Sequence, residues 1–143
     1  MASRVRTGDI RVEGLAELNR ALKALGPGAQ MELKDANQKV SELVAADARA
    51  AAYSLGGVAA KTAPSIQAKK YTTSAAVGIG GPAYPFAGGA EFGAFKYHQF
   101  KPWRGNHSDA GYFLYPAIRQ DLDRIETEYR DAIDALIKKV GLA

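Results

Sequence analysis

The sequence contains no cysteine, only two histidines and no apolar run that approaches about 18 residues. Without cysteine the chain has neither disulfide bonds nor thiolate metal sites. Without a long apolar run we expect no membrane-spanning helix and no membrane partner. The first six residues include two arginines but are followed by no apolar core, so a secretory signal is not expected.

Groups that carry chemistry are equally scarce. Residues 78–83 match the G-x-G-x-x-A pattern, but nearby prolines interrupt the helix that a dinucleotide site requires. The spacing of His98, His107 and Asp109 matches no compact metal motif. Ser108 sits between two of these residues, whereas the members of a catalytic triad converge in space from distant positions. We therefore expect no enzyme activity, no cofactor and no metal site.

The chain has 143 residues, a length typical of one domain, and its net charge is +4. The basic excess lies in residues 57–110, which hold six basic residues against two acidic ones. A solvated rim would explain this excess, and contact with DNA phosphates is the alternative. The lysines that would make such contacts are Lys61, Lys69, Lys70, Lys96 and Lys101.

Hydrophobic periodicity predicts an α+β fold in a single domain, residues 1–143, with a flexible arm over residues 1–9. The predicted elements are helices over 14–25 and 29–55, antiparallel strands within 65–73 and 74–80, a strand near 87–94, a loop over 96–109, and a long C-terminal helix. Runs of helices and strands without βαβ alternation favour an α+β class over a parallel sheet.

The C-terminal helix has the clearest apolar repeat in the sequence. It is predicted to begin with Pro116 as its first residue, to pack on the sheet and to end at Gly141. Leu122 belongs to the repeat, which places it in the core. On that interpretation Leu122→Ala would destabilise the fold by about 2–5 kcal/mol.

Ten of the thirteen aromatic residues lie between Tyr84 and Tyr115, interspersed with glycine and proline. Large rings bury much area at low entropic cost, and glycine and proline set irregular backbone shapes. This mixture is typical of a contact surface rather than a reaction centre. The candidate interface residues are Tyr84, Phe86, Glu91, Phe92, Gly93, Phe95, Tyr97, Phe100, Trp103 and Arg104.

Two parts of this segment stand out. Glu91 is an isolated acid beside Phe92 and Gly93, and it could accept a hydrogen bond either from a partner or from the chain's own backbone. Trp103 and Arg104 are of the residue types that most often anchor protein contacts. The alternative for their loop is that it folds back over the sheet.

Several motifs, taken in order, resemble a protein family. They are Val12-Glu13-Gly14-Leu15, the alanine-rich long helix, Ala63-Pro64-Ser65-Ile66, Ala90-Glu91-Phe92-Gly93 and Tyr115-Pro116-Ala117-Ile118. The chain resembles the neck proteins of siphophages known as the "gene product ten" or tail-completion family. It departs from the family pattern in a shortened loop after Pro64 and in Ala94, where threonine is common.

The resemblance implies a structural virion protein, made in the host cytoplasm, that forms a ring at the head–tail joint of the phage. The ring is expected to be a hexamer that contacts stopper, adaptor and tail-terminator proteins, with double-stranded DNA passing through its lumen. Three other functions remain open: a tail terminator, a small DNA-binding regulator, and a hydrolase that uses His107 and Asp109.

Overall fold

A computed structural model describes residues 7–10, 24, 26–69, 71, 74–105 and 110–139 of the chain. The elements in order are strand β1 (Thr7–Ile10), helices α1 (Pro27–Leu55) and α2 (Gly57–Thr62), a 3-10 turn (Ala63–Ser65), strands β2 (Gln67–Ala68) and β3 (Ala75–Gly78), and helices α3 (Ala87–Phe92), α4 (Leu114–Gln120) and α5 (Leu122–Lys139). Long helices around a small antiparallel sheet confirm the predicted α+β class.

Helix α1 runs through the centre of the fold. Gly26 precedes it and Gly56 follows it, and both have a positive φ that few other residues adopt. The helix buries Leu33, Val40 and Val44 on one stripe. Its alanines widen this stripe, so that α1 contacts the sheet, α2, α4 and α5. The predicted range for this helix was correct to within two residues.

The sheet has the strand order β1-β3-β2, and both pairings are antiparallel. All four residues of β3 are buried, as expected for a central strand. Ser41 on α1 accepts a hydrogen bond from the backbone N–H of Ala76 at 3.0 Å, which fixes the helix against this strand. The strands predicted within 65–73 and 74–80 are confirmed, although they are shorter than the ranges given. Residues 7–9, predicted to be a flexible arm, form most of β1.

One predicted strand is a helix in the structure. Residues 87–92 form a helix rather than a strand, and the N–H of Ala90 donates to the carbonyl of Phe86 at 2.9 Å. The turn after Pro85 and the small residues of this segment allow a tight helix that buries Ala87, Ala90 and Glu91. Almost all of the predicted helix over 14–25 lies outside the described residues, as does Gly141.

The C-terminal helix also differs from its prediction. The helix begins at Leu114, so Pro116 is its third residue, and it is interrupted at Asp121, which separates α4 from α5. Helix α5 packs along α1, and α4 contacts both α1 and strand β1. The side chain of Leu122 is 55% exposed, so its assignment to the core was wrong.

A pair of carboxyl groups lies at this break. Asp121 is 3% exposed, and its Oδ2 has no hydrogen-bond donor among the described residues. Burial and the neighbouring Asp47 carboxyl group raise the pKa of Asp121 from 3.8 to about 6, although Arg124 opposes the shift. The guanidinium of Arg124 lies 3.3 Å from Asp47 and 3.8 Å from Asp121. A proton held by Asp121 would supply the missing bond between the two acids.

We expect Asp121→Asn to stabilise the chain at neutral pH, because the amide can donate where the ionised acid cannot. The folded chain holds the Asp121 proton more tightly than the unfolded chain, so this group's contribution to stability is greatest in acid and is lost as the pH rises from about 4 to about 6. The variant should therefore gain about 1–2 kcal/mol over the wild type at pH 7 and little at pH 4. Thermal melts across pH 4–8, with the exposed Asp131→Asn as control, measure this difference; a gain independent of pH would contradict the prediction.

Candidate interaction surface

Glu91 joins α3 to the start of α4 through four hydrogen bonds. Its Oε1 accepts from the backbone N–H groups of Tyr112, Phe113 and Leu114 at 3.1, 2.9 and 3.0 Å. Its Oε2 accepts from the N–H of Tyr115 at 2.8 Å. The first N–H groups of a helix have no partner within the helix, and here one carboxylate satisfies them.

This carboxylate is completely buried. Burial raises the pKa of Glu91, while the N–H groups of Tyr115, Phe113, Leu114 and Tyr112 lower it. Glu91 is therefore an internal anchor rather than the interface contact proposed from the sequence. Of the two alternatives that the sequence left open, the structure shows hydrogen bonding to the chain's own backbone.

Two glycines allow the backbone to approach this anchor. Gly111 has a φ of +84°, and a Cβ at this position would collide with the carboxylate of Glu91. Gly93 has a φ of +80°, and a Cβ there would collide with the carbonyl of Pro102. Gly93 is buried, so it shapes the chain from within and makes no outward contact. Its assignment as an interface residue is corrected accordingly.

The segment between these glycines contains a closed loop, residues 94–104. The N–H of Ala94 donates to the carbonyl of Lys101 at 2.9 Å, and the N–H of Arg104 donates to the carbonyl of Phe92 at 2.7 Å. The tip of the Phe100 ring lies against Gly89 on α3, where any side chain would collide with it. These contacts hold the base of the loop against the body of the protein.

Four aromatic rings form a connected cluster at this loop. The ring centroids of Phe95 and Trp103 are 5.6 Å apart, those of Trp103 and Phe92 are 6.3 Å apart, and those of Phe92 and Tyr115 are 5.5 Å apart. Exposure falls along this series, from 84% for Phe95 to 39% for Trp103, with the other two rings half-buried. Tyr97, near the tip of the loop, is 63% exposed.

Cations border the aromatic cluster. The guanidinium of Arg104 stacks on the ring of Tyr112 at 4.4 Å, and the ammonium of Lys101 lies 5.9 Å from the same ring. The Tyr112 hydroxyl donates to the carbonyl of Pro102 at 2.7 Å. Lys96 is exposed near the tip of the loop. The surface formed by the aromatic cluster, Tyr97 and these three cations is called the aromatic surface below.

The other candidates from the sequence lie elsewhere. Tyr84 and Phe86 are half-buried and contact each other edge to face, with centroids 6.0 Å apart. Lys61 is exposed on α2, whereas Lys69 is half-buried and its side chain covers Gly78. Lys70, His107, Ser108 and Asp109 lie outside the described residues. The four described lysines that were proposed to contact DNA are thus divided among α2, the end of β2 and the 94–104 loop.

The structure reveals a second apolar surface, which the sequence analysis had assigned to the core. Along α5, the buried residues Ile125 and Tyr129 form the floor of an open groove, and Leu122 and Ile133 form its edges. The hydroxyl of Tyr129 donates to Oδ1 of Asn37 on α1 at 2.5 Å, which fixes the floor, and burial raises the pKa of Tyr129 to about 12. Periodicity correctly placed these residues on one face but did not reveal that the face is partly open.

The described ranges contain no cluster of three or more His, Cys, Asp or Glu side chains that could hold a metal ion. Within the same ranges, no helix combines the length and apolar character needed to cross a membrane. The geometry around Glu91 presents exposed aromatic rings bordered by cations. No family model, curated protein or solved structure matches this chain.

Proposed function

We propose that this protein is a structural component of a tailed-phage virion and forms a ring, with six copies expected, at the joint between head and tail. The observation that carries the proposal is the aromatic surface, in which large rings are held exposed by a buried anchor. Exposed apolar rings beside arginine are typical of surfaces that bind proteins. The order of sequence motifs described above supports the same function.

The site's architecture is consistent with a binding role. Glu91, Gly93 and Gly111 hold the backbone in its conformation, and the exposed residues of the neighbouring loop are aromatic rings and cations. A surface of this kind can contact a different face on a neighbouring copy, and such heterologous contacts form a ring when the rotation between neighbours closes. The exposed lysines of α2 and of the 94–104 loop would be available to DNA or to adjoining neck proteins.

The assembled state provides the direct test of this proposal. Native mass spectrometry and negative-stain imaging of the purified chain should show a closed ring, and imaging of particles should locate it in the neck. A chain that is monomeric both alone and within particles would contradict the proposal. A location at the end of the tail tube would instead identify the neighbouring role, the tail terminator.

We expect Trp103→Ala to weaken assembly more than folding. Its ring is 39% exposed and joins Phe95 to Phe92, so its loss removes contact area but opens no internal cavity. The variant should lose about 1 kcal/mol of stability and dissociate at concentrations at which the wild type is assembled. Tyr53→Ala, an exposed aromatic on α1, is the matched control for both measurements. A large fall in melting temperature with assembly intact would show that Trp103 acts in folding.

A further inference from the structure

The described part of the chain exposes two apolar surfaces of opposite electrostatic character. One is the aromatic surface on the 94–104 loop, and the other is the groove formed by Leu122, Ile125, Tyr129 and Ile133 along α5, called the α5 groove below. We propose that the aromatic surface of one copy docks into the α5 groove of the next copy. This inference rests on the proposed ring and specifies which two faces form its repeating contact.

The aromatic surface supplies the protruding half of the contact. Phe95 and Tyr97 belong to the 94–104 loop, and their side chains are 84% and 63% exposed, which is unusually high for aromatic rings on an ordered loop. Backbone hydrogen bonds from Ala94 to Lys101 and from Arg104 to Phe92 close the loop that carries these rings, and the Phe95 ring packs against that of Trp103. Little conformational entropy is then lost on docking, which favours rigid-body association.

The α5 groove supplies the receiving half. Its floor is fixed by the bond between Tyr129 and Asn37, and its edge residue Leu122 is 55% exposed. Burying a leucine side chain contributes about 1.5–3 kcal/mol, so an open leucine beside a fixed apolar floor favours a partner of apolar character. The exposed rings of the aromatic surface have that character, and the two surfaces share no residue.

Charge distinguishes this pairing from contact between two like surfaces. Between Gly93 and Gly105 the sequence holds Lys96, Lys101 and Arg104 and no acid. Among the described residues, none of these three cations forms an ion pair with a carboxylate. Two aromatic surfaces brought together would therefore place like charges against each other, which is unfavourable.

The α5 groove carries the opposite charge. Its lining includes two acidic residues, Glu126 and Asp134, and one arginine, Arg130. Arg130 pairs with Glu126, so Asp134 leaves the lining with one net negative charge. A basic aromatic surface against an acidic apolar groove is complementary, and this combination favours a second copy of the chain over DNA as the occupant of the groove.

A mixing experiment tests the pairing with two variants. Phe95→Asp places a charge in the aromatic surface, and Leu122→Asp places one at the edge of the α5 groove. Both positions are largely exposed, so circular dichroism should show that both variants fold; Tyr53→Asp, an exposed position on α1 outside both surfaces, is the control. Size-exclusion chromatography with light scattering measures the mass of each variant alone and of an equimolar mixture.

We expect each variant alone to be monomeric and the mixture to form a dimer that grows no further. In the mixture, the intact aromatic surface of Leu122→Asp meets the intact groove of Phe95→Asp, and the remaining two faces are both blocked. This result is specific to a contact between unlike faces, since a contact between like faces could not be restored by mixing. The control should assemble as the wild type does.

Other outcomes separate the inference from the proposed function. If the wild type forms a ring and either variant assembles normally, or if the mixture stays monomeric, the assignment of faces is wrong and the proposed ring still stands. If the wild type is monomeric at every concentration, the inference is overturned, and the location of the chain in particles decides the proposed function. Binding to duplex DNA gives a further test. If the wild type is retained on immobilised duplex DNA and Phe95→Asp is not, the inference is overturned and DNA is the occupant of the aromatic surface.

Discussion

Glu91→Ala is expected to remove about 4 kcal/mol or more of folding stability, the largest effect of any single change considered for this chain. A hydrogen bond to a charged group contributes about 1.5–3 kcal/mol, and the substitution leaves four backbone N–H groups without their acceptor. Water can reach the half-buried groups at Tyr112 and Tyr115 and recover part of the loss. Because single domains are stable by about 5–15 kcal/mol, this loss is a large fraction of the total.

Glu91→Gln provides a graded version of the same experiment. The amide oxygen can keep the three bonds made by Oε1, but the amide nitrogen would face the N–H of Tyr115, which is also a donor. We expect a loss of about 2 kcal/mol, between the wild type and the alanine variant. Urea denaturation measures both variants, with the exposed Glu126→Gln as control. Equal stability of Glu91→Ala and the control would show that α4 does not depend on this carboxylate.

Leu114→Ala is expected to destabilise the chain by about 3 kcal/mol, whereas Leu122→Ala should change stability by less than about 1 kcal/mol. The two leucines begin consecutive helices, but Leu114 is 1% exposed and Leu122 is 55% exposed. Truncation at position 114 leaves a cavity against α1, whereas truncation at position 122 removes a side chain that water already surrounds.

Thermal and urea melts of the two variants measure how much each substitution lowers the free energy of unfolding. Because the chemical change is the same, the difference between the two losses reflects how deeply each leucine is buried. A loss of 2–5 kcal/mol at Leu122, the value that the apolar repeat of the sequence suggested, would mean that α5 packs differently from the arrangement described. Under the pairing inferred for the ring, Leu122→Ala should still weaken association. The variant thus separates the role of this residue in folding from its role in assembly.

The sequence predicts α1 well because local signals there agree with the tertiary environment. A proline and a glycine mark its start, a glycine marks its end, and the buried stripe keeps a helical spacing throughout. Leu122 shows the limit of this reasoning. Periodicity reports which residues share a face of a helix, whereas the coverage of that face depends on neighbours that are distant in sequence.

The aromatic segment shows a similar division. Composition predicted a shaped surface between residues 84 and 115, and Phe95, Tyr97 and Trp103 are indeed exposed. Glu91 was placed among the contact residues because its partners, more than twenty positions later in the chain, could not be identified from sequence. The prediction of a strand at residues 87–92 failed because short segments of small residues have weak conformational preferences of their own. Tertiary contacts decide their conformation.

The bonds from Glu91 have a further consequence for a chain that lacks cysteine. They tie position 91 to positions 112–115 and so close a long covalent loop, much as a disulfide would, but with a cross-link that forms and breaks together with the fold. No oxidant is needed to make it, and no reductant can remove it. The segment that carries the protruding rings is therefore closed as soon as the polypeptide has folded.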